Sequence, residues 1–510
     1  MARPATLTMG AFCMLTACGA FDRSALPPYG EALVVVDTDL PVPRVASRLR
    51  IDLYASDGTW FASRDDVRPD PRDWPVSFSV YADDASRGHV VLVRLRAYPD
   101  GRGVPYRGLT YAALPELLRE TPRGDGQPRL VIDGSDVTPA LEPDPAVTVD
   151  RVVRLRLEPG MRGRTRVVLR GACAGRQARL ATIAEAGTCS DGAEPLVPLS
   201  DAIMEDNLAT DIRSVSGTYG DEPCPPAAPP SERICVAGGA FVLGDAFYRP
   251  SGSQDPVDSR PERVVRLTRF AIDRDEVTVG RFRAALVRGY AAPKPVGVTE
   301  RDGPPGAIPD VCTFSAAPRG RESYALSCVS WITAQAFCSF EGGALPTETQ
   351  WEYAALAALR PRKTTFPWGD DPPSCGRAVY GRSLAFPACS DRSAGPVPVD
   401  DPTSDVNALG VRNLAGGLEE HTADSHARFR DPCWTSAPSV DPSCVIAPPP
   451  ECVVDPESLA CRVGPGWPHT VRGGNWAATA EDLRGSIRSH GANAGSKDSL
   501  QGFRCVYSAR

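Results

Sequence analysis

Hydrophobic and polar positions follow two patterns along the chain, and the first occupies residues 31–200. Apolar residues alternate there with polar ones; for example, Val93 and Leu95 alternate with Arg94 and Arg96. Runs of period two that are separated by Pro, Gly and Asp predict antiparallel strands. We therefore expect an all-β sandwich region of one or two domains, with these arginines on a solvated sheet face.

A Pro-rich stretch, residues 201–233, separates this region from the second pattern and is expected to be a semi-extended linker. Residues 234–510 differ in pattern and combine short amphipathic helices with loops. Thr347, with Gln350 three residues later, predicts the capped start of one helix. Residues 425–468 are rich in Cys and Pro and are interpreted as an insertion, a place for recognition loops.

Composition narrows the functional classes. Pro and Gly number 51 and 46 in 510 residues, which favours short strands and turns over a helical bundle. The net charge is -7, and the basic residues are interspersed with acidic ones. Because there is no basic stripe, we expect no nucleic-acid partner.

The first residues predict export and lipidation. Arg3 is followed by an apolar run that ends Leu-Thr-Ala-Cys at Cys18, so residues 1–18 are typical of a secretory signal. The last four residues resemble the lipobox of bacterial lipoproteins, in which the cysteine carries lipid; the alternative is an ordinary signal peptide with a chance cysteine. Residues 19–30 are then a tether, and Gly19 favours the outer membrane or cell surface of a Gram-negative cell by the same resemblance.

The remaining cysteines predict disulfides. Without Cys13 and Cys18 an even number is left, which in an oxidising compartment indicates paired thiols. Four local couples are Cys173 and Cys189, Cys224 and Cys235, Cys312 and Cys328, and Cys375 and Cys389. A cluster of four, which has three possible connectivities, consists of Cys433, Cys444, Cys452 and Cys461.

Several motifs in the second half occur in a recognisable order. They include V-S-W-I-T-A-Q-A-F-C at 329–338, G-A-L-P-T-E-T-Q-W-E-Y-A-A at 343–355, V-R-G-G-N-W at 471–476 and Q-G-F-R-C at 501–505. The series resembles the formylglycine-generating enzyme family, also called the sulfatase-modifying factor family, over about residues 232–510. The resemblance implies a C-type lectin-like α+β fold with little regular structure.

Enzymes of that family oxidise a protein cysteine to formylglycine with oxygen and Cu(I). Soft Cu(I) prefers two thiolates, and the positions that correspond to the family's two cysteines hold Ala478 and Leu483. Asn475 replaces a serine of the family motif, and Glu419 replaces a tryptophan that lines the enzymes' site. The resemblance thus implies a pseudoenzyme without catalytic residues and without copper.

Other family features are expected to persist. The resemblance implies a disulfide between Cys338 and Cys505. It also implies a structural Ca²⁺ site in the loop N-L-A-G-G-L-E-E, because hard oxygen donors suit this ion; the alternative is a turn that holds itself by hydrogen bonds. The expected ligands are the side chain of Asn413, the carbonyls of Gly416 and Leu418, and the carboxylate of Glu420.

Two arginines, Arg484 and Arg488, are expected near the former active cleft beside Asn475. They either hold an anion or form internal salt bridges. His421 and His426, near Asp424, are interpreted as exposed loop residues rather than as a transition-metal site.

Together these features predict a lipid-anchored surface protein that has a β spacer and a non-catalytic binding or assembly module. Its partners would be the membrane, through the anchor, and an unknown protein or glycan. One alternative is an oxidoreductase of the same family that uses a displaced cysteine, for example one in the 433–461 cluster. Another is a calcium-dependent carbohydrate-binding module, which the fold alone supports only weakly.

Overall fold

The structure is a computed structural model, and it describes most of the chain from residue 30 onward. The described residues are 30–56, 58, 60–82, 86–102, 131–132, 135–136, 143–180, 186–192, 196–205, 213–226, 232–248, 258–299, 312–383, 387–389, 395–447, 468–491 and 494–509. The predicted signal, lipidation site and tether therefore lie outside the described residues, as do Cys452 and Cys461. Among the helices that are described, none combines the length and the apolar character that crossing a membrane requires.

The first half consists of strands in two main sheets. One sheet has the order β4-β1-β9 and the other β3-β2-β5-β8. All pairs are antiparallel except β1 with β9, which are parallel. The strands are β1 (Glu31–Thr38), β2 (Arg48–Ala55), β3 (Trp60–Val67), β4 (Val76–Tyr81), β5 (His89–Tyr98), β6 (Val131–Ile132), β7 (Ser135–Asp136), β8 (Val149–Leu157), β9 (Arg162–Leu169), β10 (Gly187–Thr188) and β11 (Val197–Pro198).

One buried apolar cluster joins the two sheets. It includes Val34 and Val36 of β1, Leu95 of β5 and Leu155 of β8. Alternate residues of a strand point to opposite faces, so the apolar half of each period-two run faces this cluster.

The other face of the four-stranded sheet corrects the prediction of solvated arginines. Arg94 and Arg96 are only 1% and 2% exposed. Arg94 forms a bidentate ion pair with Asp150, at 2.9 and 2.6 Å, and Arg96 pairs with Asp52. A second apolar cluster, which includes Ala178, Leu180 and Ala186 from the chain after β9, covers part of this face. Alternation alone could not reveal this cover, because the covering residues come from elsewhere in the chain.

The second half has short helices and small sheets. The sheets have the orders β12-β15-β20, β13-β14 and β18-β17-β16-β19. The helices are α1 (Val279–Val287), α2 (Trp331–Phe340), α3 (Glu348–Leu356) and α4 (Pro432–Thr435). The strands are β12 (Arg233–Val236), β13 (Gly239–Leu243), β14 (Arg263–Leu267), β15 (Phe270–Asp273), β16 (Glu419–Ser425), β17 (His469–Arg472), β18 (Ser489–His490), β19 (Gln501–Gly502) and β20 (Val506–Ser508).

Helix α3 positions the centre of this half. The predicted capping box is confirmed, since Thr347 and Gln350 bond each other's backbone reciprocally. Trp351 is fully buried, and its indole donates to Glu420 of β16 at 2.9 Å. Glu352 pairs with Arg472 of β17. Helix and sheet are thus joined by buried polar contacts as well as by apolar packing.

Where the structure describes it, the stretch between the halves is hydrogen-bonded to its neighbours, a docking that the prediction of a semi-extended linker over 201–233 did not include. The Val215 amide donates to Asp37 at 2.9 Å, and the Tyr219 amide donates to the Asp39 carbonyl at 2.8 Å. Toward the other half, Glu222 pairs with Arg266 at 2.8 Å. Residues 213–226 therefore bond to both halves.

Six disulfides lie within the described residues. The long-range bond joins Cys338 of α2 to Cys505, which precedes β20. In the predicted insertion Cys433 bonds Cys444. Trp434 beside it is fully buried in the core of the second half, so the insertion is anchored there, while Val445 next to Cys444 is 72% exposed. The four local bonds are Cys173–Cys189, Cys224–Cys235, Cys312–Cys328 and Cys375–Cys389.

Candidate functional site

A cleft lies at the sheet β18-β17-β16-β19, where the turn after β17 meets the chain that follows it. Its volume is about 230 Å³. Apolar side chains form part of the wall, and charged and polar side chains and two glycines form the rest. The lining residues are Glu419, Val471, Arg472, Gly473, Gly474, Asn475, Ala477, Ala478, Asp482, Ile487, Ser489 and Leu500.

Two glycines allow the turn beside the cleft. Gly473 and Gly474 have φ of 100° and 70°, in the left-handed region that favours glycine. A Cβ on Gly474 would lie 2.8 Å from the Asp482 carbonyl oxygen. The turn therefore passes too close to the following segment for any larger residue.

Glu419 is the carboxylate on the sheet side of the cleft. It is half-buried, and it is hydrogen-bonded to the side chains of Asn475 and Gln501. Burial and the nearby charge of Asp498 raise the pKa of Glu419 to about 7. Asn475, which the sequence predicted at the cleft, lines it, and its Oδ1 accepts from the Ala477 amide at 2.9 Å.

The two positions predicted to replace the family's cysteines differ in their surroundings. Ala478 lines the cleft, whereas Leu483 is fully buried in an apolar cluster with Phe366, Ala378 and Tyr380. Throughout the described ranges every cysteine is in a disulfide, and none of these cysteines lines the cleft. The described part of the cleft thus offers no thiol for metal binding or disulfide exchange.

Arg484 and Arg488 do not reach into the cleft to hold an anion. Arg488 forms a bidentate pair with Glu348, with both bonds at 2.7 Å, and it is almost completely buried. Arg484 pairs with Asp245 at 3.0 Å. Both arginines therefore form internal salt bridges, which was one of the two alternatives that the sequence left open.

The loop predicted to bind Ca²⁺ contains backbone suited to an irregular turn. Asn413, Gly416 and Gly417 have φ of 56°, 92° and 69°. Oxygen donors are present, but Arg504 already donates to both carboxylate oxygens of Glu420, at 2.6 and 2.7 Å. In the described part of the chain no three His, Cys, Asp or Glu side chains are grouped to hold a metal ion.

Two further carboxyl groups lie near that loop. Glu276 and Asp405 are buried close to Glu420, and Arg504 is the cation that acts on all three carboxylates. Burial and the charge of Glu420 raise the pKa of Glu276 well above its usual range. The donors therefore fit a hard cation in type, but Arg504 already pairs with Glu420, and the raised pKa of Glu276 favours its neutral form.

The two histidines near Asp424 are not exposed. His421 is buried in β16, its Nε2 lies 3.1 Å from the Val329 carbonyl oxygen, and burial lowers its pKa to about 4. His426 lies 3.4 Å from Asp258. The interpretation as exposed loop residues was wrong for His421, which is buried within β16; His426 does lie in the loop after that strand, but it is half-buried beside Asp258.

Sequence reasoning placed Asn475 and Ala478 at the cleft but missed its acidic character. Glu419 was noted only as the replacement of a tryptophan, and Asp482 was not singled out. The available signal was that a carboxylate occupies a position where the resembled family places an aromatic ring.

Comparison with known proteins identifies relatives for the second half. Residues 221–509 match the family described as "Sulfatase-modifying factor enzyme 1-like domain". The chain is 30% identical over 340 residues to the "Formylglycine-generating enzyme" of Streptomyces coelicolor, a match that covers 58% of this chain and 96% of that protein. It is 27% identical over 274 residues to the "Hercynine oxygenase" of Mycolicibacterium smegmatis, covering 50% of this chain and 56% of that one.

A further relative is named as inactive. The chain is 33% identical over 99 residues to the "Inactive C-alpha-formylglycine-generating enzyme 2" of Bos taurus, a match that covers 19% of this chain and 32% of that protein. Because the relatives include both active and inactive proteins, similarity to them does not decide whether this chain is active. The question of activity depends on the residues of the cleft.

Proposed function

Because this chain belongs to the sulfatase-modifying factor enzyme 1-like family, we propose that it is a lipid-anchored surface protein whose family domain binds a ligand without oxidising cysteine. The family includes enzymes, but the proposal assigns this member a binding or assembly role. The cleft beside Asn475 is the proposed binding site, since it combines apolar walls with a few placed polar groups.

The observation that carries this proposal is the chemistry of residues 478 and 483. Cu(I) is held by soft thiolate or thioether sulfur, and neither Ala478 nor Leu483 offers sulfur. The disulfides of the described residues supply no free thiolate either. Without a thiolate pair the site has neither a metal ligand nor a nucleophile for the oxidation.

Copper binding tests the proposal directly. In a competition with a Cu(I) chelator, the full chain is expected to leave the metal with the chelator. The double variant Ala478→Cys/Leu483→Cys is expected to withdraw Cu(I), whereas each single variant is not. Stoichiometric binding of copper by the unmodified chain would contradict the proposal. A free thiol in the 433–461 cluster would also contradict it, because the alternative hypothesis of an oxidoreductase with a displaced cysteine requires such a thiol.

The first half is proposed to be a β-sandwich spacer between the anchor at Cys18 and the family domain. Its two sheets share one apolar cluster, and that cluster also includes Ala240 and Val264 from the second half. Arg102 pairs with Glu262 across the same junction. Such contacts support a spacer that presents the family domain in a fixed orientation.

Calcium in the loop of residues 413–420 remains a proposal that rests on its donors. The side chain of Asn413, the carbonyls of Gly416 and Leu418, and the carboxylate of Glu420 would hold the ion. Its role would be structural, since it would offset the charge of buried carboxylates.

A further inference from the structure

The first half contains a cavity of its own, at an edge where its two sheets stay open. Strand β8 ends the described four-stranded sheet and β9 ends the three-stranded one. Residues 197–205 cross this edge, held by bridges between Arg154 and Asp201 and between Arg164 and Glu205. Its volume is about 410 Å³, within the range of small-molecule sites.

Arg151 occupies an unusual place in this cavity. It stands on β8 between Val149 and Val153, which face the apolar cluster between the sheets, so its side chain leaves the strand on that inner side. Nη1 donates to the Val168 carbonyl at 2.8 Å. Its Nε is buried and has no partner among the described residues.

The other charges at the rim are matched. Arg166 pairs with Asp37 at 2.8 Å. The two bridged positions are also ion pairs, with Arg154 to Asp201 at 2.6 Å and Arg164 to Glu205 at 3.1 Å. Within the described chain no carboxylate lies within ion-pairing distance of Arg151, and Asp191 acts on its charge only from further away. The cavity therefore retains a guanidinium that has no bonded carboxylate.

The environment of Arg151 favours the binding of an anion beside its guanidinium. Burial and the neighbouring charge of Arg170 lower the pKa of Arg151. A buried guanidinium is stabilised when a carboxylate accepts its N–H groups, and such bonds are stronger than those between neutral groups. The hydroxyls of Thr165 and Ser190 line the same space, and valines supply the apolar wall.

We propose that this cavity binds an organic carboxylate of single charge. Its carboxylate would accept from Arg151, and an apolar body would lie against Val153, Val167 and Val197. The same chemistry is offered by a small free acid and by the C-terminal carboxylate of an apolar peptide. This site is separate from the cleft of the family domain.

The probes are benzoate and its neutral counterpart benzamide, titrated calorimetrically into the full chain in detergent. Benzoate is expected to bind at millimolar concentration or tighter, and benzamide at least about tenfold more weakly, because the charge-assisted bonds are lost. An apolar tripeptide with a free C terminus, compared with its amide, distinguishes the two sources of carboxylate.

Arg151→Gln is expected to weaken benzoate binding at least about tenfold, whereas Arg162→Gln, at an exposed arginine on β9, is expected to leave it unchanged. Val197→Trp fills the cavity from its rim and is expected to abolish binding, even if Arg151→Gln does not fold. Equal binding of benzoate and benzamide, undiminished binding by a folded Arg151→Gln, or no binding of any probe would overturn the proposal.

Discussion

At the scale of single residues, buried charge pairs account for much of what the sequence could not reveal. Arg488 and Glu348 are separated by 140 positions in the chain, and Arg96 and Asp52 by 44. A period-two pattern assigns arginines such as Arg96 to water, because it shows which face a residue is on and not what covers that face. In contrast, residue types and local spacing were sufficient to predict the capping box at Thr347.

Asp52 tests the buried charge layer. It is fully buried between Arg50 and Arg96. Asp52→Ala leaves both guanidinium groups without this partner, so we expect a loss of about 3–5 kcal/mol in the free energy of unfolding, measured by urea denaturation. Asp201→Ala removes an exposed partner of Arg154 and should cost no more than about 1 kcal/mol.

The ion pairs of Asp52 also predict that the stability of the fold depends on pH. Although burial opposes it, the charges of Arg96 and Arg50 hold the pKa of Asp52 below its usual value of 3.8. The folded state then keeps Asp52 ionised where the unfolded chain takes up a proton, so its contribution is present above about pH 4 and is lost as the pH falls further. Equal acid sensitivity of wild type and Asp52→Ala would contradict this account.

At the scale of elements, covalent and electrostatic links hold a loop-rich half together. The Cys338–Cys505 bond closes a sequence separation of 167 residues, and in the chain-entropy model such a loop contributes roughly 4–5 kcal/mol. Local couples were predictable from spacing, whereas this long-range bond came only from the family resemblance.

The loop of residues 413–420 gives the prediction at this scale. We expect Ca²⁺ to raise the midpoint of thermal unfolding and a calcium chelator to lower it, because the ion would offset the charge of buried carboxylates. Mg²⁺ should have less effect, since it demands a smaller octahedral shell and keeps its waters. Identical unfolding with Ca²⁺ and with chelator would instead favour a turn held by Arg504 alone.

At the scale of the whole molecule, the sequence predicted two halves of different architecture, and the family match over 221–509 supports the second. It did not predict that residues 213–226 bond to both halves, because Pro-rich composition indicates extension and says nothing about docking. The cleft's position followed from motifs, while its acidic lining followed only from the arrangement of strands.

The anchor is tested on the whole protein. In a Gram-negative host the chain is expected to fractionate with the outer membrane and to incorporate labelled fatty acid, because several acyl chains give stable membrane binding. Cys18→Ser removes the acceptor thiol and should abolish labelling, whereas Cys13→Ser, within the apolar run of the signal, should not. Labelling that survives Cys18→Ser would show that the anchor lies elsewhere.

The most direct test of the account is aldehyde formation on a C-x-P-x-R peptide incubated with the full chain, Cu(I) and oxygen. The Streptomyces coelicolor formylglycine-generating enzyme serves as the positive control. We expect no aldehyde with this chain, because residues 478 and 483 cannot supply thiolates. Catalytic conversion of the peptide would contradict the central claim that the cleft binds without oxidising.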